Sequence, residues 1–311
     1  MIVTVTPNPS LDRTVEVLQL RRGEVHRAQS GRLDPGGKGV NVSRALTRAG
    51  VPTLAVLPSG RAPGGRLQGL LDVLGVPAVT VPIHGATRSN ITIVEPDGTT
   101  TKLNEAGPVL TEDEIAEIAE QAVARSREAS WLVSCGSLPE GMPVDFHATL
   151  VARSATRTAV DTSGEPLAAA VKAGPALIKP NHEELAELVG RSLDSLGDVL
   201  AAARELRAGG VGAVLVSLGA GGALLVEETG EWHAATPPVA VRSTVGAGDA
   251  TLAGFLAAGG TGPDALARAV AYGAAACRLP GSEMPAPHEI PLADVRVGTP
   301  QTELALTGDA A

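Results

Sequence analysis

Aromatic residues, cysteines and long apolar runs are all scarce in this sequence of 311 residues. The five aromatic residues are Trp131, Trp232, Tyr272, Phe146 and Phe255. Five scattered rings cannot form a base-stacking platform for single-stranded nucleic acid. Because hydrophobic residues still make up 44% of the chain, the composition is that of a globular protein. Its core must be built from Ala, Val and Leu.

Two cysteines, Cys135 and Cys277, are too few for a disulfide framework and indicate a reducing compartment. We interpret both as small buried apolar side chains. No apolar run approaches the roughly 18–20 residues of a membrane span. Residues 1–6 enter a strand pattern directly, without the charged start of a signal peptide. These features predict a cytoplasmic protein without a membrane partner.

Positive charge is in deficit, with 25 Lys and Arg against 34 Asp and Glu, a net charge of −9. A sequence-independent nucleic-acid binder needs a dominant basic face, so we expect no nucleic-acid partner. The six histidines show no spacing of the His-x-x-x-His kind, which argues against a zinc site.

Short β-branched runs alternate with longer helical patterns along the chain. Strands are predicted at 2–6, 53–57, 131–134, 158–161, 176–179, 213–217 and 223–227. Amphipathic helical patterns cover 40–49, 112–129, 183–189, 198–207 and 250–258. This alternation is typical of a mostly parallel sheet flanked by crossover helices, the α/β class. With neither a linker nor a repeat in view, we expect residues 1–311 to form one domain.

Two segments, at about 12–32 and 88–104, depart from this alternation of strands and helices. The first carries charge and little helical pattern. The second alternates polar with apolar residues around the turn Pro96-Asp97-Gly98 and predicts a hairpin. We expect the two segments to form a small β sheet outside the main one.

The strongest chemical signal is the glycine-rich stretch 243–251, which runs into an apolar helix. Gly246 and Gly248 would let backbone N–H groups approach an anion, and the helix start adds its positive dipole end. Asp249 could simply cap this helix. Because a cap does not need two glycines around one alanine, we favour Asp249 as a base beside a bound phosphate.

A second glycine-rich stretch, 34–43, lacks the spacing of a P-loop, because Arg32 and Gly39 stand where that motif needs Gly and Ser or Thr. Lys38 and Asn41 could instead bind hydroxyls or phosphate oxygens. Residues 21–48 hold seven Lys or Arg against two acids. We expect Arg44 and Arg48 on a solvated helix face.

Two further stretches admit alternative interpretations. Asn181 with Glu184 forms a capping box on the sequence alone, which is the favoured interpretation there; the alternative is that both organise water around Mg²⁺. The glycines of 217–223 fit a tight turn between strands. Asp12 is either a turn residue or an acceptor for a sugar hydroxyl.

Taken together, these stretches resemble the ribokinase-like (phosphofructokinase B) carbohydrate kinases, and within them the 1-phosphofructokinase and tagatose-6-phosphate kinase branch. The resemblance runs in order over nearly the whole chain. Its motifs are residues 6–15, 36–44, 136–141, 161–164, 179–185 and 243–249. It implies a large α/β domain whose small sheet acts as a lid over the site.

The resemblance also implies a role for each matching residue. Asp249 would be the catalytic base, and the anion hole would consist of Gly246, Ala247 and Gly248. ATP would meet Lys179, Asn181, Ser217, Gly219, Gly222, Gly246 and Gly248. Asn181 and Glu184 would organise Mg²⁺ through water. The sugar would meet Asp12, Gly37, Lys38, Asn41, Asn90, Ser137 and Asp249, and its phosphate would meet Arg27 and Arg88, since arginine binds phosphate through two donors.

The resulting expectation is an ATP- and Mg²⁺-dependent kinase that converts fructose 1-phosphate to fructose 1,6-bisphosphate. A tagatose-6-phosphate or fructose-6-phosphate kinase is the alternative, and a free-sugar or nucleoside kinase is a weaker one. From another class, the chain could be a catalytically silent regulator that binds a sugar phosphate. A homodimer through the small sheet is expected, because such a sheet exposes an edge and an apolar face.

Overall fold

The computed structural model describes residues 1–306, which form two β sheets and nine helices of eight or more residues. Ten strands form the main sheet in the order β14-β13-β12-β11-β10-β9-β8-β1-β4-β5. Its strands are β1 (Ile2–Val5), β4 (Thr53–Gly60), β5 (Ala78–Ile83), β8 (Trp131–Cys135), β9 (Arg157–Asp161), β10 (Leu177–Ile178), β11 (Ala213–Ser217), β12 (Ala223–Glu227), β13 (Gly230–Ala235) and β14 (Arg296–Gly298). Neighbouring strands from β5 to β11 are parallel, and those from β11 to β14 are antiparallel.

The helices connect these strands and cover both faces of the main sheet. They are α1 (Lys38–Arg48), α2 (Arg61–Val73), α3 (Glu112–Ser126), α4 (Phe146–Arg153), α5 (Gly164–Lys172), α6 (His182–Val189), α7 (Leu196–Ala208), α8 (Ala247–Ala257) and α9 (Gly262–Cys277). Within residues 1–306, no helix is long and apolar enough to cross a membrane.

Apolar side chains of the central strands enter separate cores on the two faces. Ile2 packs with α1, α8 and α9, whereas the next residue, Val3, packs with α3 and α4. Leu215 and its neighbour Val216 divide in the same way between two cores. Successive side chains of a strand point to opposite faces, so a sheet buried on both sides needs apolar residues in unbroken runs. The α/β class predicted from these runs is confirmed.

The small sheet lies outside the main one and has the order β3-β2-β6-β7. Its strands are β2 (Ser10–Glu16), β3 (Ser30–Gly36), β6 (Arg88–Val94) and β7 (Thr100–Asn104). The predicted hairpin is formed by β6 and β7, and the charged segment 12–32 contributes most of β2 and the start of β3. Strand β3 of this sheet thus runs directly into the glycine-rich start of α1.

Candidate functional site

Helix α8 begins at the glycine-rich stretch singled out from the sequence. Gly246, the N-cap, has a left-handed φ of 79°, and a Cβ there would stand 2.9 Å from the Met284 Cε. Gly246 therefore has a steric reason to be glycine. At Gly248, whose φ is ordinary, a Cβ would lie 3.4 Å from the Lys179 ammonium. The start of α8, whose first N–H groups lack partners within the helix, is thus open to an anion beside a lysine.

Asp249 is buried in the first turn of α8. Its Oδ2 accepts a hydrogen bond of 2.8 Å from the Nδ2 of Asn41, on α1. Burial, and then the carboxylate of Asp161, raise the pKa of Asp249 to about 6, against the opposing effects of Lys38 and Asn41. A carboxylate with such a pKa is ionised at neutral pH and can still accept a proton.

Asp161 joins two lysines beside Asp249. It is fully buried at the end of β9, with its Oδ1 2.7 Å from the Lys38 Nζ and its Oδ2 3.1 Å from the Lys179 Nζ. Burial would raise the pKa of Asp161, but the two lysines lower it. For Lys38, burial opposes ionisation and the surrounding carboxylates overcome it, so its pKa is raised. Lys38 is thereby held charged at the centre of the site.

The sequence 181–184 forms the predicted capping box at the start of α6. Asn181 Oδ1 accepts from the Glu184 backbone N–H at 2.7 Å, and Glu184 Oε2 accepts from the Asn181 backbone N–H at 2.8 Å. The second carboxylate oxygen, Glu184 Oε1, lies 3.6 Å from the Lys38 Nζ. The box therefore leaves one oxygen of Glu184 directed toward the cluster around Asp161.

The small sheet places Asp12 and Asn90 side by side on β2 and β6. Asp12 Oδ1 accepts from Ser10 Oγ at 2.7 Å and from Asn90 Nδ2 at 3.0 Å. A Cβ on Gly36 would collide with the Asp12 carboxylate, so β3 approaches this carboxylate with bare backbone. Asn90 Oδ1 is buried without a hydrogen-bond partner, which marks an acceptor that a ligand could satisfy.

Arg88, at the start of β6, spans the junction between the small sheet and the main body. Its Nη1 donates to the Glu105 carbonyl at 2.9 Å and its Nη2 to the Asn8 carbonyl at 3.0 Å. Its Nε is buried without a partner, as is Asn8 Oδ1, while Asn8 Nδ2 reaches the Oγ of the exposed Ser137 at 3.4 Å. Unsatisfied donors and acceptors therefore cluster beside Arg88.

The turn 217–223 lines a cavity of about 260 Å³ near Asn181. Ser217 ends β11 and Gly219 is exposed in the turn, and both line the cavity together with Leu304, Ala305 and Leu306. Gly222 does not line it: a Cβ there would stand 2.0 Å from the Ala234 carbonyl oxygen. Close packing against β13 and a positive φ of 85° both favour glycine at this position.

Two basic residues lie elsewhere than the sequence suggested. Arg27 is exposed on the loop between β2 and β3, and the polar contacts found within residues 1–306 do not join its side chain to the cluster. Arg44 was expected on a solvated helix face, and this is wrong, because its side chain is only 7% exposed. Arg48, one turn later on α1, is exposed as expected.

Reasoning from the sequence did not single out Asp161, Asn8 or Arg44 as site residues. The motifs that carry the family resemblance include both Asp161, in residues 161–164, and Asn8, in residues 6–15. The signal available in the sequence was a polar residue within or beside a buried strand. Arg44 gave no such signal, since a basic residue on an amphipathic helix is normally solvated.

Phosphoryl transfer depends mainly on positioned charges and on a base that receives the proton of the attacking hydroxyl. The lysines, the open start of α8 and buried Asp249 meet these needs, and the fold is ribokinase-like. The class of protein that fold and site define is a kinase acting on a carbohydrate hydroxyl.

Comparison with known proteins gives the family. The pattern of the pfkB family carbohydrate kinases matches residues 7–289. The chain is 38% identical to a 1-phosphofructokinase of Rhodobacter capsulatus over 85% of each chain, and 37% identical to one of Haloferax volcanii over 92% of this chain and 93% of the relative. The chain therefore belongs to the pfkB family of carbohydrate kinases, for which ATP is the co-substrate.

Solved structures agree with this assignment. Phosphofructokinase-2 of Escherichia coli in complex with fructose-6-phosphate has a TM-score of 0.84 and 35% identity, over 90% of this chain and 95% of that one. A tetrameric inhibited form of the same protein has a TM-score of 0.85 and 36% identity, again over 90% and 95%.

Proposed function

We propose that this kinase phosphorylates fructose 1-phosphate at O6, with Mg·ATP as the donor. The observation that carries the proposal is the buried Asp249, hydrogen-bonded by Asn41 at the open start of α8 and flanked by Lys38 and Lys179. The Rhodobacter and Haloferax relatives named 1-phosphofructokinase support the choice of acceptor.

Asp249 receives the proton of the attacking hydroxyl late in the transfer. Its pKa of about 6 keeps most of the carboxylate ionised at neutral pH and leaves it basic enough to accept that proton. Backbone N–H groups of Gly246, Ala247 and Gly248 and the Lys179 ammonium stabilise the negative charge on the transferred group. Asn41 holds the base in place.

Oxygen donors suited to Mg²⁺ stand beside this cluster. Asp161 Oδ2 is buried 3.1 Å from the Lys179 Nζ, and Glu184 Oε1 is free of the capping box. Among residues 1–306, no group of three or more His, Cys, Asp or Glu side chains could hold a metal directly, which suits an ion that keeps most of its waters. Asn181 and Glu184 would hold that water shell, and Mg²⁺ when bound would neutralise charge on the phosphate oxygens.

The sugar binds between the small sheet and the start of α1. Asp12 and Asn90 accept or donate to its hydroxyls, and Gly37 and Ser137 offer backbone and hydroxyl groups. Arg88 meets the 1-phosphate, because its Nε is buried without a partner at this edge. The nucleotide lies along Ser217 and Gly219, whose cavity adjoins Asn181.

A coupled assay of ADP release tests the proposal, with fructose 1-phosphate, fructose 6-phosphate, tagatose 6-phosphate and free fructose as acceptors. We expect the highest kcat/KM for fructose 1-phosphate. A preference for a 6-phosphate would keep the mechanism and change the acceptor, which is the second candidate because the Escherichia coli structure holds fructose-6-phosphate. Free fructose as the best substrate would remove the phosphate role of Arg88. Absence of turnover would favour a silent regulator.

Two variants test the assigned residues. Asp249→Asn keeps the shape of the side chain and should lower kcat by several orders of magnitude while ATP binding survives. Arg88→Ala should raise the KM for the sugar phosphate far more than the KM for ATP. Near-normal turnover of the first variant would remove Asp249 as the base, and equal effects on both KM values would make Arg88 a support of the small sheet.

We also propose that two copies associate through the small sheet. Asn90 and Asp12 share the face that carries the polar site residues, so the intervening residues face the opposite way. That opposite face carries Ile91, Ile93 and, on β7, the 55% exposed Leu103. Sedimentation should show a dimer that Ile91→Glu dissociates, and a monomeric wild type would contradict this.

A further inference from the structure

Arg44 lies in the middle of α1, one helical turn after Asn41, and is almost fully buried. Its Nη1 lies 2.9 Å from the Asn41 Oδ1, 3.1 Å from the Pro35 carbonyl oxygen and 3.2 Å from the Ser282 Oγ. These contacts come from α1, from the end of β3 and from the loop after α9. A buried guanidinium in such a position needs a reason, because removing it from water is costly.

The reason lies in the side-chain amide of Asn41. An arginine side chain only donates hydrogen bonds, so Arg44 requires the amide oxygen of Asn41 to face it. The amide NH₂ group must then face the other way, and there it donates to Asp249 Oδ2 at 2.8 Å. With Arg44 absent, the amide could turn over and present its oxygen to the carboxylate.

We infer that Arg44 is a positioning residue that fixes the Asn41 amide so that it donates to the ionised carboxylate of Asp249. A donor directed at a carboxylate favours its ionised form, and an acceptor directed at it favours the protonated form. The inference rests on the proposed function, in which ionised Asp249 is the base. Arg44 acts on this base without touching substrate.

Other charged groups face Asp249 and Arg44, the two residues that contact the Asn41 amide. Asp249 is faced by Asp161 from β9, Lys38 from α1 and Lys179 from the end of β10. Arg44 is faced by Asp34, Arg32 and Asp12 of the small sheet and by Glu283. Asp34 Oδ1 is 4.0 Å from Arg44 Nη2, and Arg32 joins Asp34 to Glu283. Arg44 is thus held against Asn41 by groups of β3 and of the loop after α9.

Arg44→Met tests this inference, because methionine fills part of the buried space but donates no hydrogen bond. We expect kcat at neutral pH to fall about ten- to a hundredfold, and the acidic limb of the kcat profile to move up by about one pH unit, with both KM values changed about twofold or less. Arg44→Lys, which restores a positive donor, should recover part of kcat and part of the limb. Arg48→Met, on the exposed side of the same helix, is the matched control and should behave as wild type.

An acidic limb unchanged in Arg44→Met would overturn the inference, as would an equal change in Arg48→Met. A neutron structure of the wild-type protein supplies a second test that needs no variant and no activity. We expect deuterons on the amide nitrogen that faces Asp249; an oxygen facing Asp249 would overturn the inference even if Arg44→Met failed to fold. The proposed function fails separately, if Asp249→Asn retains turnover.

Discussion

Replacing Asp161 by asparagine should shift the acidic limb of the kcat–pH profile to lower pH. This is opposite to the shift expected of Arg44→Met. Asp161 is, after burial, the main cause of the raised pKa of Asp249. The substitution removes one negative charge beside Asp249 and nearly preserves the shape of the side chain. Lys38 and Lys179, which lower the pKa of Asp249, lose a competing carboxylate at the same time.

The magnitude follows from the raised pKa. A rise from 3.8 to about 6 corresponds to about 3 kcal/mol against the ionised form of Asp249, shared between burial and Asp161. Removing the share of this pKa rise that Asp161 causes should shift the acidic limb to lower pH by about one unit. At about pH 6 the ionised fraction of Asp249 would then rise from about one half to about nine tenths.

The assay is kcat measured with saturating substrates between about pH 5 and 8, with Asp72→Asn, an exposed change on α2, as the control. A limb that stays in place or moves upward in Asp161→Asn would refute the electrostatic reasoning. Stability is measured in parallel, because the variant leaves Lys38 and Lys179 without their buried partner. Urea unfolding should show a loss of about 3 kcal/mol.

Three further predictions concern stability. Asp249→Asn should be more stable than wild type at pH 7 by up to about 3 kcal/mol in urea unfolding. The reason is that a carboxyl whose pKa is raised to about 6 stabilises the fold fully below its unfolded pKa and loses that contribution as the pH rises through 6. Equal stability of the two proteins at pH 7 would contradict this. Burial lowers the pKa of His147 to about 4, so its neutral imidazole should contribute about 3 kcal/mol of stability above its unfolded pKa of about 6.5, and this contribution is lost as the pH falls through 4. Because Asp249 has the opposite pH dependence, the contribution is measured as the difference between wild type and His147→Gln, and a difference that does not change with pH would contradict it. Thr111→Ala removes the capping box of α3 and should cost about 1 kcal/mol of unfolding free energy, whereas no loss would mean that water replaces the cap.

Much of the fold was predictable because its strands are buried runs and its helices carry start signals. The strand at 213–217 and the start of the helix at Glu112 are confirmed to the residue. Helix α2 was not predicted, since its start, Arg61-Ala-Pro-Gly-Gly, is typical of a loop. It forms because Leu67 and Leu71 pack into a core beneath β4, and such packing overrides local propensity.

The candidate site was likewise predictable from the sequence only in part. Asp249 with its two glycines was predictable, because the chemistry of an anion site is written in consecutive residues. Arg44 was not, because its burial depends on Pro35 from β3 and Ser282 from the loop after α9, which reach it only in the folded chain. Asp161 likewise gains its two lysines from separate segments.

The interior position of β1 also bears on how this chain folds during synthesis. Ile2 pairs with Thr53 on one side and with Trp131 on the other. During synthesis β1 must therefore wait until β8 has been made before both of its edges are covered. Such distant pairings slow folding and leave strand edges open to other chains. We expect nascent chains that end before β8 to need a chaperone.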